Sequence, residues 1–169
     1  MKYFLCLVMF SWAILARAAE PSNDVLFSCL SGSAVSSLVR VEPIPTDRIN
    51  EEDGYKSGYD ANFFEFRGKD IGYATKGDSE AIIYGGKLYL IKDAQIIADR
   101  EVALSPININ LSDWLLVHVK GSDFLCVSDN FEGLGRSGSF QKVRYGYLLS
   151  LDKSKKLYFT VNNVDNFGK

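Results

Sequence analysis

His118 is the single histidine of the chain, so a metal site built from two or three imidazoles is excluded. It lies in Trp114-Leu-Leu-Val-His-Val-Lys120, where strand alternation puts it on the face of Trp114 and Leu116, opposite Leu115, Val117 and Val119. A nucleophilic mechanism would pair it with a serine or with Asp113, yet no Gly-x-Ser-x-Gly elbow occurs. The expectation is a histidine seated on a half-buried sheet face. Glu51 and Asp53 are the residue type that glycoside hydrolysis needs, but nothing aligns them across a substrate, and Glu51-Glu52-Asp53 reads as a solvated loop. Gly133-Leu-Gly-Arg-Ser-Gly138 has dinucleotide-loop spacing, which works only where a strand enters a helix whose N-terminus meets pyrophosphate. Here Val143-Arg-Tyr-Gly-Tyr-Leu-Leu149 continues as another strand, so the match is incidental. Alternating calcium-loop carboxylates are missing too. No catalytic residue, metal ligand or cofactor is expected.

Three cysteines, Cys6, Cys29 and Cys126, carry the remaining chemistry. Lys2, the apolar run Phe4 to Leu15 and the small-x-small site Ala16-Arg17-Ala18 make residues 1–19 a cleavable export signal, too short and wrongly flanked for a membrane span. Its removal takes Cys6 away and leaves Cys29 and Cys126 in an oxidising compartment, periplasmic or extracellular, where they are expected to pair. They stand too far apart for a Cys-x-x-Cys redox couple, so the bridge is structural. Loss of Lys2 and Arg17 from 19 Lys and Arg leaves 17 basic residues against 21 acidic ones, a net charge of −4. That favours neither nucleic acid nor an anionic membrane surface. No later apolar run is long enough to span a bilayer. Asn110-Leu-Ser112 is a glycosylation sequon only in a host that glycosylates.

Strands must position whatever function there is. Val35–Val41, Asn62–Phe66, Ile71–Thr75, Ala81–Tyr84, Lys87–Ile91, Trp114–Val119, Phe124–Val127, Val143–Leu149 and Leu157–Val161 are short runs rich in β-branched and aromatic residues. Gly85-Gly86 stands at hairpin spacing, and Lys120-Gly-Ser-Asp123 and Asp152-Lys-Ser-Lys155 are four-residue connections. No run of ten residues or more shows helical period with a capped start after the signal, though Ser31–Leu38 could hold one short turn. The predicted fold is all-β: a small antiparallel β-barrel or sandwich with one disulfide, formed by residues 20–169 as a single domain. Loops predicted at Glu42–Tyr59, Ser105–Asp113 and Ser128–Gln141 are where binding residues would sit. The last gathers Gly133, Gly135 and Gly138 around Arg136 and Ser137, as a deep turn over the rim or as a contact loop.

Ser57-Gly58-Tyr59, followed downstream by Tyr73-Ala-Thr-Lys-Gly-Asp-Ser-Glu-Ala81, resembles the exported inhibitors of c-type lysozyme, the MliC/PliC-like family. That family carries a Ser-Gly-x-x-Tyr loop and a Thr-Lys-Gly element followed by acidic residues. The resemblance implies a small disulfide-bonded antiparallel barrel whose serine loop and lysine enter the lysozyme cleft. It nominates Ser57, Tyr59 and Lys76 as partner-binding residues. A cleft holding an acidic pair suits a lysine and a hydroxyl donor on a stiff loop. The function expected is therefore non-catalytic binding of another exported protein, such as a cell-wall lytic enzyme, by an inhibitor or immunity-like partner. Two rivals remain open: a barrel holding a small ligand or lipid, and a cell-wall hydrolase using acidic residues.

Overall fold

Apolar residues repeat here with two periods, and the architecture follows from which strands bury both faces. The computed structural model describes residues 20–98, 101–107, 111–129 and 143–163. Two sheets face each other as a sandwich rather than a closed barrel. The larger runs β1 (Val39–Pro43), β8 (Ser112–Val119), β9 (Ser122–Asp129), β10 (Val143–Ser150), β11 (Leu157–Asn163) and β7 (Gln95–Ile97), antiparallel except for the β11–β7 pair. The smaller runs β2 (Asn50–Gly54), β3 (Tyr59–Phe66), β4 (Lys69–Lys76), β5 (Ser79–Tyr84) and β6 (Lys87–Leu90), all antiparallel.

Between the sheets lie Phe64, Ile71, Tyr73, Ile82 and Tyr84 from the smaller sheet. Trp114, Leu116, Leu125, Val127, Tyr147, Leu149 and Phe159 face them from the larger one. Phe64 meets Trp114 edge to face at 5.4 Å between centroids, and Tyr147 lies 4.8 Å from Phe159. This filled interior is where a barrel would have had its cavity.

The far side of the larger sheet is apolar as well. Leu115, Val117, Phe124, Cys126, Leu148 and Tyr158 point away from the sandwich core, and a helix α1 (Asn23–Ser31) covers them with Val25, Leu26 and Cys29. Two-sided burial explains why Trp114–Val117 and Phe124–Val127 read as continuous apolar runs. Cys29 and Cys126 are disulfide-bonded across 97 residues, so the bridge ties the helix to the middle of the sheet.

Helix α1 was not among the expected elements, the sequence having offered only one turn at Ser31–Leu38. Its nine residues place Val25, Leu26, Cys29 and Leu30 on one face, and Gly32 ends it in the left-handed region at φ 70°. So short a helix shows barely two turns of period. Its polar groups are also committed: Ser28 Oγ accepts Val35 N–H at 3.1 Å, and Arg144 donates to Leu30 C=O at 3.0 Å. The predicted strand Val35–Val41 begins only at Val39, and β2 lies inside the stretch Glu42–Tyr59 expected to be loop. Asn50-Glu-Glu-Asp-Gly54 is exposed throughout, so an edge strand forms there without any apolar alternation. The predicted four-residue connection at Lys120–Asp123 is a two-residue turn, since Val119 pairs with Ser122. Gly85 and Gly86 join β5 to β6 with φ of 57° and 69°, a turn that side-chain-bearing residues resist.

Candidate functional site

Tyr55–Gly58 is a single irregular turn, with Lys56 and Ser57 outside helical geometry, that lies over the outer face of the smaller sheet. That face is lined by Ala61, Ala74 and Ile83, with Tyr59, Phe63 and Leu88 half-buried beside them. Small side chains let the covering chain lie close. Tyr55 is the anchor: it is buried, its ring packs on Phe63 at 5.4 Å, and its hydroxyl donates to Asp70 at 3.2 Å. Burial first, then the Asp70 charge, pushes the Tyr55 phenol up to about 12. Lys56 donates to Gly86 C=O, fixing the turn from a second side.

The tip is strained. Ser57 stands at φ 62° and Gly58 at φ 75°, and a non-glycine residue in this region costs on the order of 1 kcal/mol or more. Lys76, at the end of β4, reaches across and donates from Nζ to Ser57 C=O at 2.7 Å. A Cβ added at Gly58 would stand 3.5 Å from that ammonium, so glycine leaves it accessible. Tyr59, at the start of β3, shares a hydrogen bond with Ser79 Oγ at 2.9 Å. Ser57, Tyr59 and Lys76 thus meet at one end of the smaller sheet, with Ser57, Gly58 and Lys76 exposed. Arg136 and Ser137 lie outside the described residues, as do Asn110 and the expected signal at residues 1–19. Of the loop Ser128–Gln141, Ser128 and Asp129 belong to β9 and the rest is not described.

Chemistry missed by the sequence lies elsewhere. His118 does not pair with Asp113. Its Nδ1 shares a hydrogen bond with Asp123 at 2.8 Å, and Nε2 stands 3.4 Å from a Glu42 carboxylate oxygen. Glu42 also holds Arg67 and Arg40, so this chain of charges ties the β3–β4 turn to β1 across the two sheets. Glu80, with Asp78, lines an open groove of about 430 Å³ and accepts a hydrogen bond from Tyr73. Tyr73 and Tyr147 are both shifted upward, chiefly by burial. Glu51 and Asp53 sit on the exposed edge strand β2 and line neither the groove at Glu80 nor the one between β6 and β7. No group of three or more His, Cys, Asp or Glu side chains suited to a metal ion occurs among the described residues. No described helix is long and apolar enough to cross a membrane.

Comparison with protein-family models, curated proteins and solved structures finds no match to this chain.

Proposed function

We propose that this chain is an exported, non-catalytic binding protein that engages another exported protein through the tip formed by Ser57, Tyr59 and Lys76. The observation that carries this reading is the hydrogen bond from Lys76 Nζ to Ser57 C=O. It joins two exposed segments into one stiff cationic tip over a packed sheet. An ammonium has three donors, and the Ser57 bond uses one, leaving two for carboxylates of a partner. A residue held at positive φ beside a glycine is also what a preorganised contact loop requires. Export fits the disulfide, which persists in oxidising compartments, and the leader at residues 1–19. Arg136 and Ser137 extend this proposal as further contact residues.

A partner with an acidic cleft, such as a c-type lysozyme, is the first to assay. Oxidised protein beginning at residue 20 should inhibit such an enzyme at near-stoichiometric ratio and should capture it from a periplasmic extract. Full lysozyme activity at about a tenfold molar excess would remove lysozyme, since tight cleft inhibitors bind near nanomolar. One observation favours a second reading, a small-ligand protein: an open groove of about 490 Å³ runs between β6 and β7, bordered by Leu88, Leu90, Gln95 and Lys155. Saturable binding of an apolar probe there would support it.

A further inference from the structure

The groove between β6 and β7 has a free strand edge as one wall. β6 closes the smaller sheet and pairs with β5 alone. Gly85 and Gly86 form a two-residue turn, and in such a hairpin the pair at the turn, Tyr84 and Lys87, exchanges both backbone hydrogen bonds. Alternation then points the N–H and C=O groups of Leu88 and Leu90 away from β5. Neither leucine has another backbone hydrogen-bond partner among the described residues, and both line the groove. The other wall is Ser154, Lys155, Lys156 and Leu157, the stretch just before β11 gains β7 as its neighbour at Tyr158.

The charge around this edge is mainly positive. Lys87 opens β6 on the face of Tyr89, the face turned to the larger sheet, and Lys156 ends the β10–β11 turn on the other wall. Both are exposed, and neither side chain has an ion pair or hydrogen bond among the described residues. Lys155 is committed: it donates to Leu151 C=O at 2.6 Å and, with Lys69, flanks the Tyr84 ring, at 5.4 and 4.8 Å from its centroid. These contacts seat the lysine turn against the smaller sheet. Desolvation first, then Lys69, holds the Lys155 ammonium below the usual lysine range, with Lys87 adding to this and Asp152 opposing it, so cations of the two walls feel one another. Asp93 is the one acid among the described lining residues.

An exposed lysine ordinarily guards an edge against pairing, but toward an acidic strand the same charge attracts. We propose that β6 is a docking edge for an extended acidic segment of another polypeptide, which adds to the smaller sheet as a further strand. Its carboxylates lie on the Lys87 and Lys156 side, and its alternate apolar residues lie beside Leu88 and Leu90. Backbone hydrogen bonds at the two leucines supply the grip, and the alternation supplies the selectivity. The four residues of β6 span about 13 Å, which a segment of about six residues covers. The chain's own acidic edge, Asn50–Gly54, carries the charge but no apolar side chain to set beside the leucines. None of Ser57, Tyr59 or Lys76 takes part, so this edge stands or falls apart from the tip.

The probe is a capped peptide of about six residues alternating glutamate and valine, titrated into the oxidised protein beginning at residue 20. Hydrogen exchange followed by NMR reads the edge directly. The amides of Leu88 and Leu90 should slow at least about tenfold at saturation, while those of the opposite edge strand β2 should not change. The same peptide, N-methylated at the amides that would face β6, keeps its charge and apolar content but loses the backbone bonds, and should bind at least about tenfold more weakly. Lys87→Glu combined with Lys156→Glu should weaken the glutamate peptide by about tenfold and make a lysine–valine peptide the better ligand. Equal binding of the N-methylated peptide would overturn the proposal and leave a small-ligand groove. Self-association of the protein that Glu51→Lys abolishes would overturn it by giving the edge to a second copy. Unchanged exchange at Leu88 and Leu90 in millimolar peptide would overturn it outright.

Discussion

The two outer faces of the sandwich are closed in opposite ways. Over the larger sheet, helix α1 lays Val25, Leu26 and Cys29 on six large apolar side chains and a disulfide holds it down. Over the smaller sheet, one turn of four residues sits on Ala61, Ala74 and Ile83, with Tyr55 as its only buried side chain. The first closure is large, apolar and covalent, so it is built for stability. The second keeps most of its covering chain exposed and bends it into strained geometry, which suits a contact surface. Position within the same fold thus separates a closure that is buried from one that stays largely exposed.

The helix-covered face should be the costlier one to break. Cys29→Ser, measured by chemical denaturation, is expected to cost about 4 kcal/mol, given the long loop that the bridge closes. Far-UV circular dichroism should also show lost helix in that variant if the bridge, rather than burial alone, keeps α1 seated. An effect under about 1 kcal/mol would make the two closures equivalent and end the comparison.

On the other face the sensitive point is Gly72, not the covering turn. An added Cβ would stand 2.1 Å from Asn62 C=O and 2.5 Å from Phe63 Cα, both in β3 and both backbone. Nothing there can yield without bending the sheet. Gly72→Ala is expected to destabilise by about 3 kcal/mol, the upper range for forced overpacking. A neutral result would mean that β3 is free to shift, and that the platform under Tyr55 is softer than its packing suggests.

How much of this was legible in sequence differs between the faces. The strands Trp114–Val119, Phe124–Val127, Val143–Leu149 and Leu157–Val161 stood out by their β-branched and aromatic residues, and burial on both sides makes Trp114–Val117 and Phe124–Val127 continuously apolar. Hairpin glycines fixed the turn at Gly85-Gly86. Helix α1 escaped because nine residues give too little period, and β2 because an acidic edge strand carries no strand composition. Ser57, Tyr59 and Lys76 were singled out as local motifs, and the β3–β4–β5 meander brings them together. No local pattern could announce Lys69, Tyr84 and Lys155. They lie far apart in the chain and meet only because the β10–β11 turn packs against the end of the other sheet.

Alkali should loosen the turn-covered face. An unfolded tyrosine ionises near pH 10, whereas Tyr55 in the folded protein does so at about 12. Between those values the folded state binds more protons than the unfolded one, so stability is full below about pH 10 and falls as pH rises through the window. Tyr145 contributes in the same window, pushed up to about 12 by burial and then by its hydrogen bond to Asp129. Tyr55→Phe should therefore flatten part of the alkaline decline, not all of it, and should cost about 1 kcal/mol at neutral pH through the lost Asp70 bond. Denaturation at several pH values, followed with tyrosinate absorbance, reads both effects.

The smallest expected change in stability belongs to the residue expected to matter most for contact. Lys76 is exposed, and its described tie is one hydrogen bond to Ser57 C=O. Lys76→Ala should then alter unfolding by no more than about 0.5 kcal/mol, as surface substitutions do. If the tip meets an acidic partner, the same change should weaken association by about 2 kcal/mol or more, because a carboxylate desolvated at the interface would be left unpaired. Binding should also weaken at low pH, as the partner's carboxylates take up protons and no longer attract the ammonium. The two measurements must separate for the comparison to hold. A Lys76→Ala protein that melts many degrees lower would show that the lysine holds the Ser57 turn in place. The turn-covered face would then be a second structural closure, and the contact surface would have to be sought at Arg136 and Ser137.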